Sequence, residues 1–249
     1  MKWKSHLAIA RALARSMHLS RDLERVLCEG SIEPDRNPEL VSRAGRGAAV
    51  HSTRMPHHEA EIDVIMGLVW RARRSHLAGD EEDAVWQLGK ALHYVQDSCV
   101  STGFLGLAHD SRESEISAWP AQEEALESGL RNARPSPQYV EECLRALAPK
   151  KDPGAAMYQA CAYSAAIAAA VLSDQVANPA FVQHLYQARR RHSRIVLPAA
   201  TGVGTMLVAA AWATGNPWLL VPALPVAYLV HRLDLNYFFI RKEARWYDI

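Results

Sequence analysis

"DEEDAVWQLGKALHYVQDSCV", residues 80–100, carries the clearest helical pattern in the chain. Val85, Leu88, Leu92, Val95 and Cys99 recur at three- and four-residue steps, which predicts a single apolar stripe along an α-helix. Asp80 or a neighbour can cap this helix. Acids crowd its first turn, where the positive end of the helix dipole favours them. His93 lies beside the stripe, Asp97 follows one turn later, and Gly89, one turn earlier, leaves room. A carboxylate beside a core stripe needs a partner, and a divalent cation is a good one.

Working outward, residues 1–28 read as helix, with Trp3, His6, Ile9, Leu13 and Met17 at helical spacing. "CEGSIEPDRNPE" (28–39) holds Gly30, Pro34 and Pro38 and is expected to be a loop. Residues 40–58, including "RAGRGAAVHSTRMPHH", read as irregular. Helices are expected at 59–78, near 113–133 and near 137–147. "AAMYQACAYSAAIAAAVLSDQ" (155–175) is long enough to span a membrane. Its Tyr158, Gln159, Tyr163 and Ser164 point instead to a bundle-core helix. Strand signals are nearly absent, so the expected fold is an all-α multi-helix bundle over residues 1–190.

The composition changes near residue 189. "RRRHSR" leads into "IVLPAATGVGTMLVAAAWATG" (195–215), and "NP" leads into "WLLVPALPVAYLV" (218–230), both without a charge. The first run can cross a hydrocarbon core of about 30 Å. The second reaches that length if it runs from Pro217 toward Phe239, with Asp234 near an interface. Residues 191–249 are therefore expected to form a transmembrane helical hairpin and short tail, meeting lipid through 195–239, with a tight turn at 214–217. Arginines flank both outer ends and none lies in the turn. The positive-inside rule then predicts a membrane protein whose N-terminal domain faces the cytoplasm. The N-terminus has no uninterrupted apolar run, since Arg11 and Arg15 break it, and it reads as mature protein.

Formal net charge over 249 residues is +1, which argues against a duplex-DNA binder driven by phosphate neutralisation. Cys28, Cys99, Cys143 and Cys161 stand singly, so they form neither a disulfide framework nor a cysteine zinc site. The eleven histidines are more informative. His93–Asp97 and His109–Glu113 both have helical i, i+4 spacing, but so do His18–Asp22 and His57–Glu61. Spacing alone does not single out a metal site. His6 shares a face with Trp3, Ile9 and Leu13, toward the expected core.

Four segments in order make the chain resemble the zinc-dependent phospholipase C superfamily, which includes the single-strand-specific zinc nucleases. These are "SHLAIARAL" with His6, "EGSIEPD" with Asp35, "LGKALHYVQD" with His93 and Asp97, and "HDSRE" with His109 and Glu113. The resemblance covers the bundle and leaves out the hairpin. It implies His6, His93, Asp97, His109 and Glu113 as zinc ligands, with Asp97 bridging two ions. It also implies an aspartate near the metals, Asp35. A further histidine ligand is expected in the loop after Asp35, and His51, His57 and His58 are all candidates. The family's histidine six residues after the bridging aspartate is Gly103 here, so a third zinc lacks one ligand. The family also uses the free amine of a processed N-terminal tryptophan; Trp3 is the nearest equivalent, and no cleavage signal precedes it.

Imidazole and carboxylate donors suit Zn2+. Two ions would polarise a phosphodiester and activate a water, with Asp35 orienting that water or acting as general base. The leading expectation is a membrane-anchored zinc hydrolase of phospholipase C type, acting on phospholipid head groups. A zinc nuclease acting on single-stranded nucleic acid is the alternative. Trp3, Trp70, Trp86 and Trp119 would be its candidate stacking platforms. A non-catalytic membrane protein that keeps the bundle is the third.

Overall fold

The computed structural model describes residues 1–38, 40–44, 50–54, 61–101 and 109–249, with the backbone only at 40–44, 50–54, 109 and 110. The chain divides into two compact units, Met1–Asp174 and Gln175–Ile249. The division precedes the arginine run at 189–191, because Pro179–Arg191 packs with the C-terminal segments.

Among its described residues, the first unit is helical apart from one small antiparallel strand pair. Its helices are α1 (Trp3–Ser16), α2 (Arg21–Arg36), α3 (Ile62–Leu77), α4 (Glu81–Asp97), α5 (His109–Ile116), α6 (Glu123–Asn132), α7 (Pro137–Ala146) and α8 (Pro153–Val171). The expected helix over 1–28 is broken at 17–20, where His18 takes a positive φ and Ser20 caps α2 by accepting from Leu23 N. The expected helix near 113–133 is likewise two helices, separated by a stretch containing Pro120. Part of the segment read as irregular forms an antiparallel pair, β1 (Leu40–Ala44) with β2 (Val50–Arg54), in register from Leu40 opposite Arg54 to Ala44 opposite Val50.

α4 is central. Asp80 accepts from Asp83 N at 3.1 Å, and the first turn carries Glu81, Glu82 and Asp83. Val85, Leu88, Leu92, Val95 and Cys99 are all buried. α4 packs on α2, α3 and α8. Where it crosses α2 the two backbones touch. A Cβ on Gly30 would sit 2.5 Å from the Trp86 carbonyl oxygen, and one on Gly89 would sit 2.8 Å from that of Leu27. Gly30 is therefore a packing residue inside α2, not a loop signal. Pro34 lies in the last turn of the same helix, where a missing N–H costs one backbone bond without ending the helix.

α8 takes the place expected of a core helix. Asp152 caps it, and 72% of its most apolar window is buried. Arg73, itself buried, donates to the carbonyls of Val171 at 2.9 Å and Ser173 at 2.6 Å, closing the helix's C-terminal end.

The second unit holds α9 (Pro179–Arg191), a π-helical turn (His192–Val196), α10 (Leu197–Thr214), a 3₁₀ turn (Pro217–Leu220), α11 (Ala223–Arg232) and α12 (Leu235–Trp246). From Pro179 to Thr214 the helix is continuous over 36 residues, and its apolar window is only 11% buried. Gly215, at φ 63, ends it in a left-handed cap, and Asn216 caps the 3₁₀ turn that follows. α10 then packs antiparallel against α11. The second arm is not one straight helix from Pro217 toward Phe239. It bends by 64° between Arg232 and Leu235, because Asp234 starts a new helix by accepting from Tyr237 N. By length and composition, both this bent pair and the 36-residue helix can cross a membrane.

Candidate metal centre

Three helices of the first unit deliver polar side chains to one point. α1 brings His6, α4 brings His93 and Asp97, and the last turn of α2 brings Asp35. His6 and His93 are fully buried and stack, with ring centroids 4.3 Å apart. Asp97 lies between them. Its Oδ1 is 3.2 Å from His6 Nε2, and its Oδ2 is 3.3 Å from His93 Nε2. Asp35 Oδ1 is 3.6 Å from His93 Nε2, and its side chain keeps 24% exposure. Donor atoms of His6, Asp35 and His93 all lie within 4.8 Å of one another.

Asp35 was expected in a loop and sits instead on a helix. The close approach of Gly30 and Gly89 is what brings this part of α2 to α4. Ser31 and Asp35, one turn apart, therefore reach the same histidine. His93 Nδ1 donates to the Ser31 carbonyl at 2.9 Å while Nε2 faces the carboxylates. His6 is held in the same way. Its Nδ1 donates to Gln96 Oε1 at 2.6 Å, and Gln96 Nε2 donates to Ser164 Oγ of α8 at 3.1 Å. Both imidazoles thus have Nδ1 committed to an acceptor and turn Nε2 toward the acids. This is the arrangement that fixes tautomer and ring direction in metal-ligating histidines.

The electrostatics favour a cation. Burial works against a charged Asp97, yet His6 and His93 hold its carboxyl well below the usual carboxylate range. Burial and the neighbouring His93 push His6 below its ordinary value. Burial opposes the charge on His93 as well, but Asp97 and Asp35 outweigh it and raise that group. The Met1 amine is ion-paired with Asp97 and lies 2.7 Å from Glu113 Oε1 on α5. Burial disfavours its charge, but the two acids keep its pKa raised. Two imidazole nitrogens and convergent carboxylates make a donor set suited to zinc.

The structure thus brings together His6, Asp35, His93 and Asp97, with Glu113 joined through the Met1 amine. His51 lies on β2 and His109 opens α5, but their side chains lie outside the described residues, as do His57, His58 and Gly103 altogether. Gln96, Ser31 and Ser164 are the supporting residues that pattern reading missed. Ser164 carried a signal, as a hydroxyl in an alanine-rich helix. The Ser31 carbonyl carried none. Comparison with protein-family models, curated proteins and solved structures finds no match to this chain.

Proposed function

We propose that the protein is a membrane-associated, zinc-dependent phosphodiester hydrolase of phospholipase C type. The observation that carries this reading is the convergence of His6, His93 and Asp97 with both Nδ1 atoms anchored, beside a more exposed Asp35. Zinc bound there would supply Lewis-acid polarisation of the phosphodiester and a nucleophile at neutral pH. His6 and His93, whose Nε2 atoms face the acids, and Asp97, whose two carboxylate oxygens lie 3.2 and 3.3 Å from those nitrogens, would hold it. Asp35, the member of the cluster open to solvent, takes the proton of the attacking water on a carboxylate oxygen. The apolar hairpin tethers the bundle to a bilayer, where phospholipid head groups are the nearest phosphodiesters. The arginines flanking the hairpin's outer ends support a cytoplasmic side for the bundle by the positive-inside rule.

A single-strand nuclease is the second reading. One observation favours it: Trp3 is 45% exposed, and the Arg36 guanidinium lies 5.0 Å from its ring, beside Asp35. Such a pair can stack a base.

The test is zinc content of the purified full chain together with head-group release from phosphatidylcholine vesicles. Two zinc ions per chain and release that Asp97→Asn abolishes are expected. No bound zinc sinks both hydrolase readings. Cleavage of single-stranded DNA with intact vesicles moves the assignment to the nuclease.

A further inference from the structure

The near-zero net charge hides two unequal units. Of the chain's 28 Lys and Arg, eight lie in residues 175–249, against three of its 27 Asp and Glu. The first unit is therefore net acidic and the second strongly basic. All eight basic side chains of the second unit are exposed: Arg189, Arg190, Arg191, Arg194, Arg232, Arg241, Lys242 and Arg245. Of the three acids, Asp234 is buried and committed to Arg191 and, at 3.0 Å, to His192 Nδ1.

These charges gather at one end of the hairpin. The Arg191–Asp234 ion pair joins the base of the first arm to the bend of the second. Leu185 and Ala188 of α9 pack on Ile240 and Ala244 of α12, which draws the remaining basic residues to the same end. No Asp, Glu, Lys or Arg occurs from Ile195 to His231, and the far end carries Trp212 and Trp218, 88% and 77% exposed. α12 leaves the arm at 64° with Leu235 and Phe239 exposed beside Arg241 and Lys242. An apolar and basic helix turned away from a spanning arm is suited to lie in the membrane interface. Arg232 rests over the Phe238 ring at 4.5 Å, which holds its guanidinium at that level.

We infer that the base of the hairpin is a binding collar for anionic phospholipid, its arginines taking lipid phosphates and its α12 lying among the head groups. Arginine's planar fork matches phosphate, and a negatively charged leaflet attracts each basic residue near its surface. The inference rests on the membrane reading and is independent of hydrolysis.

The test uses the full chain reconstituted in phosphatidylcholine bilayers with a spin-labelled lipid probe. The immobilised, protein-bound fraction is compared for phosphatidylglycerol and phosphatidylcholine labels. Phosphatidylglycerol should be favoured about fivefold, the equivalent of about 1 kcal/mol, at low salt, and the preference should shrink at high salt. Joint substitution of Arg190, Arg194, Arg232 and Arg241 by Gln should abolish it. Equal association of the two lipids in the unmodified chain overturns the collar while leaving membrane insertion intact. No immobilised lipid of either kind overturns both. Retention of single-stranded RNA without lipid preference overturns the collar in favour of nucleic acid. Zinc content is unaffected in every arm, so the hydrolase reading stands or falls separately.

Discussion

α8 and the helix from Pro179 to Thr214 are both long and apolar enough to cross a membrane, yet they are used in opposite ways. In α8, 72% of the apolar window is buried within its unit; in the longer helix, 11% is. The difference follows from what each helix offers its neighbours. α8 sets small residues against α6, where Gly129 lets the two backbones meet, and it spends its one buried hydroxyl, Ser164, on the histidine network. α10 packs on α11 and the 3₁₀ turn before it, and its threonines bond back to its own carbonyls, as Thr205 does to Thr201 and Gly202. Apolarity makes burial favourable but does not choose between protein and lipid as the apolar medium.

The sharpest way to break this comparison is to place a charge on each helix. Ala165→Glu in α8 should cost roughly 3–5 kcal/mol, an uncompensated buried charge, and unfold the bundle in chemical denaturation. Thr205→Glu in α10 should leave the bundle's unfolding midpoint unchanged while weakening retention in alkali-washed membranes. Equal loss of bundle stability from both would mean that the two helices share one core.

A smaller effect separates the glycines. Gly129→Ala drives a Cβ into the Ala162 carbonyl of α8 and should cost about 1–3 kcal/mol of bundle stability. Gly202→Ala in α10 meets nothing within 4 Å and should cost none, as judged by thermal unfolding in detergent. The smallest effect concerns the hydroxyls. Ser164→Ala should remove about 1–2 kcal/mol by leaving Gln96 short of a partner. By loosening His6 it should also weaken zinc binding about tenfold in a metal titration. Thr205→Ala removes a hydroxyl that bonds back to its own helix and should change neither.

Much of the fold was legible because helical periodicity is local. The α4 stripe, the Asp80 cap and the turn near Gly215 follow from neighbouring residues alone. The errors fell where a residue type has two uses. Gly30 and Pro34 read as loop signals, but Gly30 is a contact point between helices and Pro34 sits where a helix tolerates it. The second arm read as running on through Asp234, set near an interface, but that carboxylate caps α12 and makes the bend. In the candidate site, His6, Asp35, His93 and Asp97 were named from sequence. Their common meeting point depends on the α2–α4 crossing, which no local pattern contains.

By itself, then, the sequence determined a helical protein with a basic, charge-free-cored hairpin after a bundle, and a short set of histidines and acids worth pairing. These properties are periodicity, composition and order, all readable along the chain. Only the tertiary structure decided that α8 lies inside its unit while α10 stays exposed, that Asp35 rides a helix, and that both imidazoles turn Nε2 toward Asp97. Each of those depends on contacts between residues far apart in sequence, where backbone approach and hydrogen-bond acceptors on other helices set direction and burial.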